Sequence, residues 1–196
     1  MALTPVSKLA LESALTEPSA YTEIKAILEG TDHTTPLTAG TGITTGSGTV
    51  YKSWKDQDGG VIKTTIYIDI DGLRSTAGGD IIGLDNTALA CHIGQITTAL
   101  NGVIFAGTIT CFEAPTTGDP DIDLYSATEA TGVEDAAITT LAETQLVNAG
   151  DHTLGSVKYL TAFPAANEYL YLVSGTTTNG IFEEGILFIE LYGTAS

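Results

Sequence analysis

Positive charge is scarce in this chain and is nearly absent from its C-terminal part. Over its 196 residues, seven Lys and Arg stand against 24 Asp and Glu, a formal net charge of −17. Residues 76–196 contain one cation, Lys158, against fifteen acids, which is a net charge of −14. The first 75 residues hold six cations against nine acids, a net charge of −3. Because nucleic-acid binding depends on cationic side chains that neutralise phosphates, this distribution argues against DNA or RNA as a direct partner.

Cysteines and long apolar runs are also scarce. The chain has only Cys91 and Cys111, far below the density of a disulfide-stabilised domain and typical of folding in a reducing cytoplasm. We expect them to be two buried free thiols. No apolar run approaches the roughly 20 residues that cross a bilayer, and no cationic segment precedes an apolar run at the N-terminus. The sequence therefore predicts a soluble protein with no secretion signal and no membrane partner.

The N-terminal residues 1–50 read as an arm attached to one folded domain. Thr4 and Pro5 begin a pattern typical of a short amphipathic helix, and a second short helix is predicted for residues 19–29. Residues 31–49 are mostly Thr, Gly and Ser, and we expect an extended linker that becomes ordered only against a partner.

Residues 51–196 have the pattern of an all-β domain, with short apolar runs separated by Gly, Asp and Asn. Strands are predicted at residues 61–70, 81–84, 92–100, 103–114, 154–163, 168–175 and 181–193. Asn101 and Gly102 predict a tight hairpin between two of these strands, and residues 134–148 predict one crossing helix. The expected fold is a jelly-roll-like antiparallel β-sandwich with one short crossing helix and an extended, partly helical N-terminal arm.

Acidic residues offer the few candidates for chemistry. Asp119, Asp121 and Asp123 alternate in a loop, and such carboxylates are weak candidates for binding Ca²⁺, since an EF-hand's Gly and bidentate Glu are missing. A solvated acidic turn is the simpler interpretation. Asp69 and Asp71 share one side of a strand and read as part of a polar outer face. The three His are isolated and no nucleophile or phosphate-binding motif occurs, so we predict no metal, no cofactor and no catalytic residue.

Six segments occur in an order that resembles a known group of proteins. They are GGVIKTTIYIDIDGL, DIIG, CHIGQITTALNGVIFAGTITCFEAP, DPDIDLYSATEATG, PAANEYLYLVSG and ILFIELYG, which together cover about residues 50–193. The pattern resembles small virion proteins of tailed bacteriophages, of the marine and environmental type. The resemblance implies a role in decorating or cementing the capsid head. It does not cover the first 50 residues, and it carries no catalytic residues.

The resemblance and the charge distribution lead to one main expectation. A cement protein binds the outer surface of the phage head, with the major capsid protein as its partner, and it commonly does so as a homotrimer. It would be assembled in the host cytoplasm and would reside in the virion. Residues 1–55, in the much less acidic part of the chain, are then expected to face the capsid, and the candidate contact residues are Lys8, Lys25, Lys52, Trp54 and Lys55.

Three other functions remain open from the sequence. A main shell protein is one of them, although a chain with no basic inner face suits an accessory protein better than a lattice that encloses DNA. A trimeric fibre or receptor-binding module would share the fold, and it would recognise host surface glycans. An enzyme such as a glycosidase would need a cleft with perturbed carboxylates around Asp69, Asp71 or Glu113. Because no catalytic motif appears, the sequence predicts that the protein is not an enzyme.

Overall fold

The structure is a computed structural model that describes residues 37–85 and 87–195. The chain divides into two compact units, Met1–Thr34 and Thr35–Ser196, and every described residue belongs to the second unit. The two helices predicted for the N-terminal arm lie outside the described residues.

The described residues form eleven strands and three short helical segments. The strands are β1 (Val50–Asp58), β2 (Val61–Asp69), β3 (Leu73–Ser75), β4 (Gly83–Leu84), β5 (Val103–Thr116), β6 (Ile122–Ala127), β7 (Glu143–Val147), β8 (Val157–Tyr159), β9 (Tyr169–Ser174), β10 (Gly180–Ile181) and β11 (Glu184–Thr194). The helical segments are α1 (Thr41–Thr44), α2 (Thr98–Asn101) and a 3₁₀ turn at Ile138–Thr140.

Antiparallel pairing joins the strands into three sheets. One sheet has five strands in the order β1-β2-β11-β5-β8, and two smaller sheets have the orders β10-β3-β4 and β7-β6-β9. Each strand pair in these sheets is antiparallel. The prediction of an all-β antiparallel fold is therefore confirmed, whereas the jelly-roll connectivity stays a prediction.

The hydrophobic core lies against the inner face of the five-stranded sheet. β11 alternates strictly, so Leu187, Ile189 and Leu191 point inward and are fully buried. On the smaller β7-β6-β9 sheet, β9 is buried along almost its whole length, including Tyr171. Side chains from the five-stranded and the smaller sheets join one core cluster, as expected for packed layers.

The segment predicted as a linker is part of this core from residue 37 onward. Leu37 is 2% exposed and Ile43 is fully buried. Gly42 approaches residues 89–91 so closely that a Cβ there would lie 2.4 Å from the Cys91 Sγ atom. The glycines that suggested flexibility therefore allow close packing. Residues 37–49 therefore belong to the same compact unit as the strands.

The helix predicted for residues 134–148 is wrong. Residues 138–140 form one 3₁₀ turn, and β7 follows at residues 143–147. β7 pairs with β6, and this pairing buries both Leu146 and Val147. Adjacent buried residues suit a strand enclosed on both faces, so tertiary pairing overrides the helical spacing of the apolar residues.

The hairpin predicted at Asn101 and Gly102 is also wrong. Thr97 caps the short helix α2, which ends at Asn101, and Gly102 follows with a φ of 72°. The Asn101 side chain is buried and accepts from the Thr97 N–H at 2.8 Å while donating to the Thr64 hydroxyl at 2.9 Å. Residues 93–96 pair with β9 instead of β5. The Asn-Gly signal therefore marks a helix end, which uses the same positive φ.

The other predicted strands are found in whole or in part. Residues 61–70, 103–114 and 168–175 contain β2, β5 and β9 with small changes at their ends. The run at 181–193 is divided into β10 and β11, and the runs at 154–163 and 81–84 shorten to β8 and β4.

Replacing Leu37 by Ala should destabilise the domain by about 2–5 kcal/mol, because the change leaves a cavity in the core. The control is Leu154→Ala, since Leu154 is 75% exposed and its truncation should change stability by about 0.5 kcal/mol or less. Denaturant unfolding of both variants measures the difference. Equal stabilities for the two variants would show that residue 37 belongs to a loose linker.

Candidate interaction surface on the five-stranded sheet

The outer face of the five-stranded sheet is built from side chains aligned across all five strands. The register places two complete rows in its middle. One row is Lys52, Tyr67, Phe188, Thr110 and Val157, and the other is Trp54, Thr65, Glu190, Thr108 and Tyr159. We call this surface the outer face. Side chains in such rows contact one another directly, so their chemistry acts as a unit.

Four aromatic rings form a cluster in the middle of the outer face. The Phe188 ring lies 6.1 Å from Trp54, 5.3 Å from Tyr67 and 4.4 Å from Phe112, measured between ring centroids. The contacts of Phe188 with Trp54 and Tyr67 are edge-to-face, with interplanar angles of 78° and 87°. These contacts stabilise the rings in a mutually packed arrangement and leave them far from coplanar.

Two further aromatic side chains of β5 point outward at bulges in the sheet. The register between β5 and β11 shifts near Tyr192 and again near Ile186. As a result, Phe105 and Phe112 are not paired directly with a residue of β11, and both point outward, with 46% and 55% exposure. A bulge inserts an extra residue into one strand, so it changes which residues share a face. Alternation with the buried Ile109 and Cys111 already places Phe112 outward, whereas it would turn Phe105 inward, so only the outward position of Phe105 depends on a bulge.

Charge on the outer face is low in its two central rows. The Lys63 ammonium group lies 2.8 Å from a carboxylate oxygen of Glu190. The Glu190 hydrogen bond raises the pKa of Lys63, so the Lys63 ammonium group stays charged and its charge is largely offset by its partner. Lys52 is exposed and is then the main cation beside the aromatic cluster.

The structure separates the five residues predicted to contact a capsid. Lys52 and Trp54 stand next to each other on the outer face, two residues apart on β1. Lys55 pairs with Thr64 and points to the opposite side of the same strand. Lys8 and Lys25 lie outside the described residues. Recognising β1 as a strand is enough to predict this division between Lys52 and Lys55.

A shallow hollow lies at the turn that joins β1 and β2. Its volume is about 410 Å³, and it is lined by Asp56, Gln57, Asp58, Val61, Lys63 and Tyr192. The one cation in this lining is paired with Glu190. The hollow borders the outer face and does not bring together an acid, a base and a nucleophile.

The acidic loop uses its carboxylates for internal hydrogen bonds. Buried Asp119 accepts from the Thr176 N–H and hydroxyl, both at 2.8 Å, and from the Asp121 N–H at 3.0 Å. Asp123 accepts from the Gln145 side chain at 2.9 Å and from the Ala149 N–H at 2.7 Å. Burial raises the pKa of Asp121, and neighbouring acids raise it further. Asp119 and Asp123 thus hold neighbouring segments together, and their oxygens are not directed at a common point.

The remaining candidate residues from the sequence are dispersed. Asp69 accepts a hydrogen bond from the Asp71 N–H at 3.2 Å, a local turn contact just beyond β2. Cys91 and Cys111 are buried free thiols, as predicted. Burial raises the pKa of Cys91 to about 11, so this thiol is a poor nucleophile. Within residues 37–85 and 87–195, no group of three or more His, Cys, Asp or Glu side chains could hold a metal ion.

His152 lies beneath the acidic loop. It is 2% exposed, and its Nε2 atom donates to the Ile122 carbonyl at 2.9 Å. Its Nδ1 atom has no hydrogen-bond partner in the described part of the chain. Burial lowers the pKa of His152, because a proton on Nδ1 would create a desolvated cation.

Comparisons with known proteins identify no relative of this chain. Neither the protein-family models, nor the curated proteins, nor the solved structures contain a match. In the described part of the chain, no helix is long and apolar enough to cross a membrane. The case for a function therefore depends on the surface itself.

The stability of the protein should decrease as pH falls through the range in which free histidine titrates. The folded state lowers the His152 pKa from about 6.5, so the unfolded state binds the proton first. The stability that depends on neutral His152 is complete above about pH 6.5 and is lost as the pH falls toward the lowered pKa of the folded state. His152→Gln should therefore reduce the loss of melting temperature between about pH 7.5 and pH 5.5. Thermal unfolding at several pH values measures the slope.

His92 is the matched comparison, because burial also lowers its pKa. Removing either histidine should flatten the pH dependence, and removing both should flatten it further. Asp121 acts in the opposite direction, because burial raises its pKa and its contribution therefore favours the folded state as pH falls. An unchanged slope in His152→Gln would contradict the assignment.

Proposed function

We propose that this protein is a structural virion protein that binds the outer surface of a phage capsid through the outer face, as a trimer, and stabilises the head. Its partner is the major capsid protein. The protein acts without an enzymatic activity or a cofactor, and it functions in the virion, on the exterior of the head.

One observation carries the proposal. The outer face combines a packed aromatic cluster, an exposed lysine and a neutralised ion pair on one rigid sheet. Aromatic residues are enriched in protein interfaces, where they supply apolar contact area with little loss of side-chain entropy. A large exposed apolar surface on a domain that is otherwise acidic supports binding to another protein.

The charge distribution gives this surface an orientation. The outer face carries two cations, Lys52 and Lys63, together with the acids Asp56, Asp69 and Glu190, whereas residues 76–196 as a whole carry a net charge of −14. A protein bound by the outer face would present much of its acidic surface to solvent. Like-charge repulsion between such surfaces keeps crowded particles apart, which suits the exterior of a head.

The ring geometry favours this function over glycan recognition. A sugar ring binds best to an aromatic face that lies open and flat. Edge-to-face contacts instead turn the Trp54 and Tyr67 rings against Phe188. The fibre or receptor-binding function therefore remains the alternative outcome of the test below.

Replacing Lys52 by Glu should weaken binding to heads by about tenfold or more, since it places a negative charge beside the aromatic cluster. Lys55→Glu is the matched control, because the same charge change on the opposite side of β1 should leave binding nearly unchanged. Co-sedimentation with mature heads stripped of the protein measures affinity and bound copies per head. Saturation at a copy number set by capsid symmetry, with increased head stability, is expected.

Two outcomes would contradict the proposal. Equal binding by the two lysine variants would remove the outer face from the capsid contact. Absence of head binding by the unmodified protein, together with binding to host cells or to a glycan array, would assign the protein to receptor recognition.

A further inference from the structure

Five exposed apolar side chains lie together at one side of the outer face. They are Val103, Phe105 and Phe112 of β5 and Val157 and Tyr159 of β8, and we call them the β5–β8 patch. Tyr159 is 72% exposed and Phe112 is 55% exposed. β8 is the last strand of the sheet, so the patch extends to the sheet edge. Lys52 and Trp54 stand on β1, at the opposite edge.

The chain places these side chains outward by two different means. Val157 and Tyr159 face outward because they pair with Thr110 and Thr108, which are outward positions of β5. Phe112 faces outward by alternation with the buried Ile109 and Cys111, whereas Phe105 faces outward because a bulge adds a residue to β5 there. The five apolar side chains therefore share one face of the sheet, with Ala106, Thr108 and Thr110 at the outward positions between Phe105 and Phe112.

The patch is nearly free of charge within the most acidic part of the chain. β5 contains one charged residue, Glu113, at the end of the patch. β8 contains Lys158, which pairs with Ile109 and therefore points to the other face of the sheet. Between these two residues, the outward positions of β5 and β8 are neutral. The other fourteen Asp and Glu side chains of residues 76–196 belong to segments outside β5 and β8.

This absence of charge indicates which partner the patch suits. Two copies of a chain with a net charge of −17 repel each other over most of their surfaces. The electrostatic repulsion between two copies is weakest at a surface that lacks acids, and exposed apolar side chains at that surface favour contact. A cationic partner would instead be drawn to the acidic surfaces and away from this neutral patch.

We infer that the β5–β8 patch is the surface through which copies of this chain contact each other in solution. The contact deepens the proposed function, which includes a trimer, by naming the subunit interface. It leaves Lys52, Trp54 and Tyr67, toward the β1 edge of the outer face, for the capsid, and Phe112, which packs against Phe188, lies at the border between the two contacts. The inference concerns the free protein, so it is tested by mass in solution and not by head binding.

The test is the mass of the full chain in solution, measured by light scattering during size-exclusion chromatography. A monomer has a mass of 20.3 kDa, and the unmodified protein is expected at three times this mass, as a trimer. Tyr159→Asp should shift the protein to the monomer, with self-association weakened about a hundredfold or more, because each contact would gain buried, unpaired charge. Circular dichroism should show an unchanged fold, since Tyr159 is largely exposed.

Ile181→Asp is the matched control. Ile181 is 46% exposed on β10 of a smaller sheet, so the same change there should leave the oligomer intact. A monomeric unmodified protein over about a hundredfold range of concentration would overturn the inference. An oligomer that survives Tyr159→Asp and dissociates in Ile181→Asp would also overturn it. A Lys52→Glu variant that stays oligomeric and no longer binds heads would support the capsid proposal and would leave the self-association inference unchanged.

Discussion

The pairing of β11 with both of its neighbours is the constraint on which the rest of the structure depends. This C-terminal strand lies at the centre of the five-stranded sheet, between β2 and β5. Its inward side chains contribute Leu187, Ile189 and Leu191 to the core, and its outward side chains contribute Phe188 and Glu190 to the outer face. Because alternate residues point to opposite faces, one strand fixes the core and the candidate interface together.

The register between β5 and β11, with its bulges, determines which side chains of β5 lie on the outer face. One bulge keeps Ile104 and Gly107 on the inner face with Phe105 outward, and another places Glu113 on the same face as Phe112. The aromatic cluster therefore depends on the exact register of two long strands, and not on any single loop. A rigid sheet of this kind presents its side chains with little loss of entropy on binding, which suits a protein that acts by contact.

Much of the fold follows from apolar periodicity, and the exceptions share one physical cause. Residues 61–70 and 181–193 alternate clearly, so the sequence predicts β2 and β11 well. Residues 37–49, 92–102 and 134–148 were predicted incorrectly, because distant partners decide their structures. The Leu37 backbone forms hydrogen bonds with the Ser53 hydroxyl, and β7 pairs with β6. Local propensity carries no information about such partners.

The candidate site was predictable to a smaller extent. Alternation along β1 places Lys52 and Trp54 together and Lys55 apart, which the sequence contains once the strand is recognised. The rows across five strands require the register, and the outward Phe105 requires a bulge, so neither follows from the sequence. Alternation with the buried Ile109 and Cys111 is enough to place Phe112 outward. The acidic loop looked like a cation site because spacing alone does not show that Asp119 and Asp123 accept internal hydrogen bonds.

The central claim is that the outer face is a contact surface, and side-chain oxidation footprinting tests it most directly. Hydroxyl-radical labelling of the protein, free and bound to stripped heads, would report the exposure of individual aromatic and aliphatic side chains. The account predicts that Trp54 and Tyr67 lose labelling on heads, whereas Ile181, on a smaller sheet, keeps it. Unchanged labelling of the outer face, with protection confined to the smaller sheets, would contradict the account.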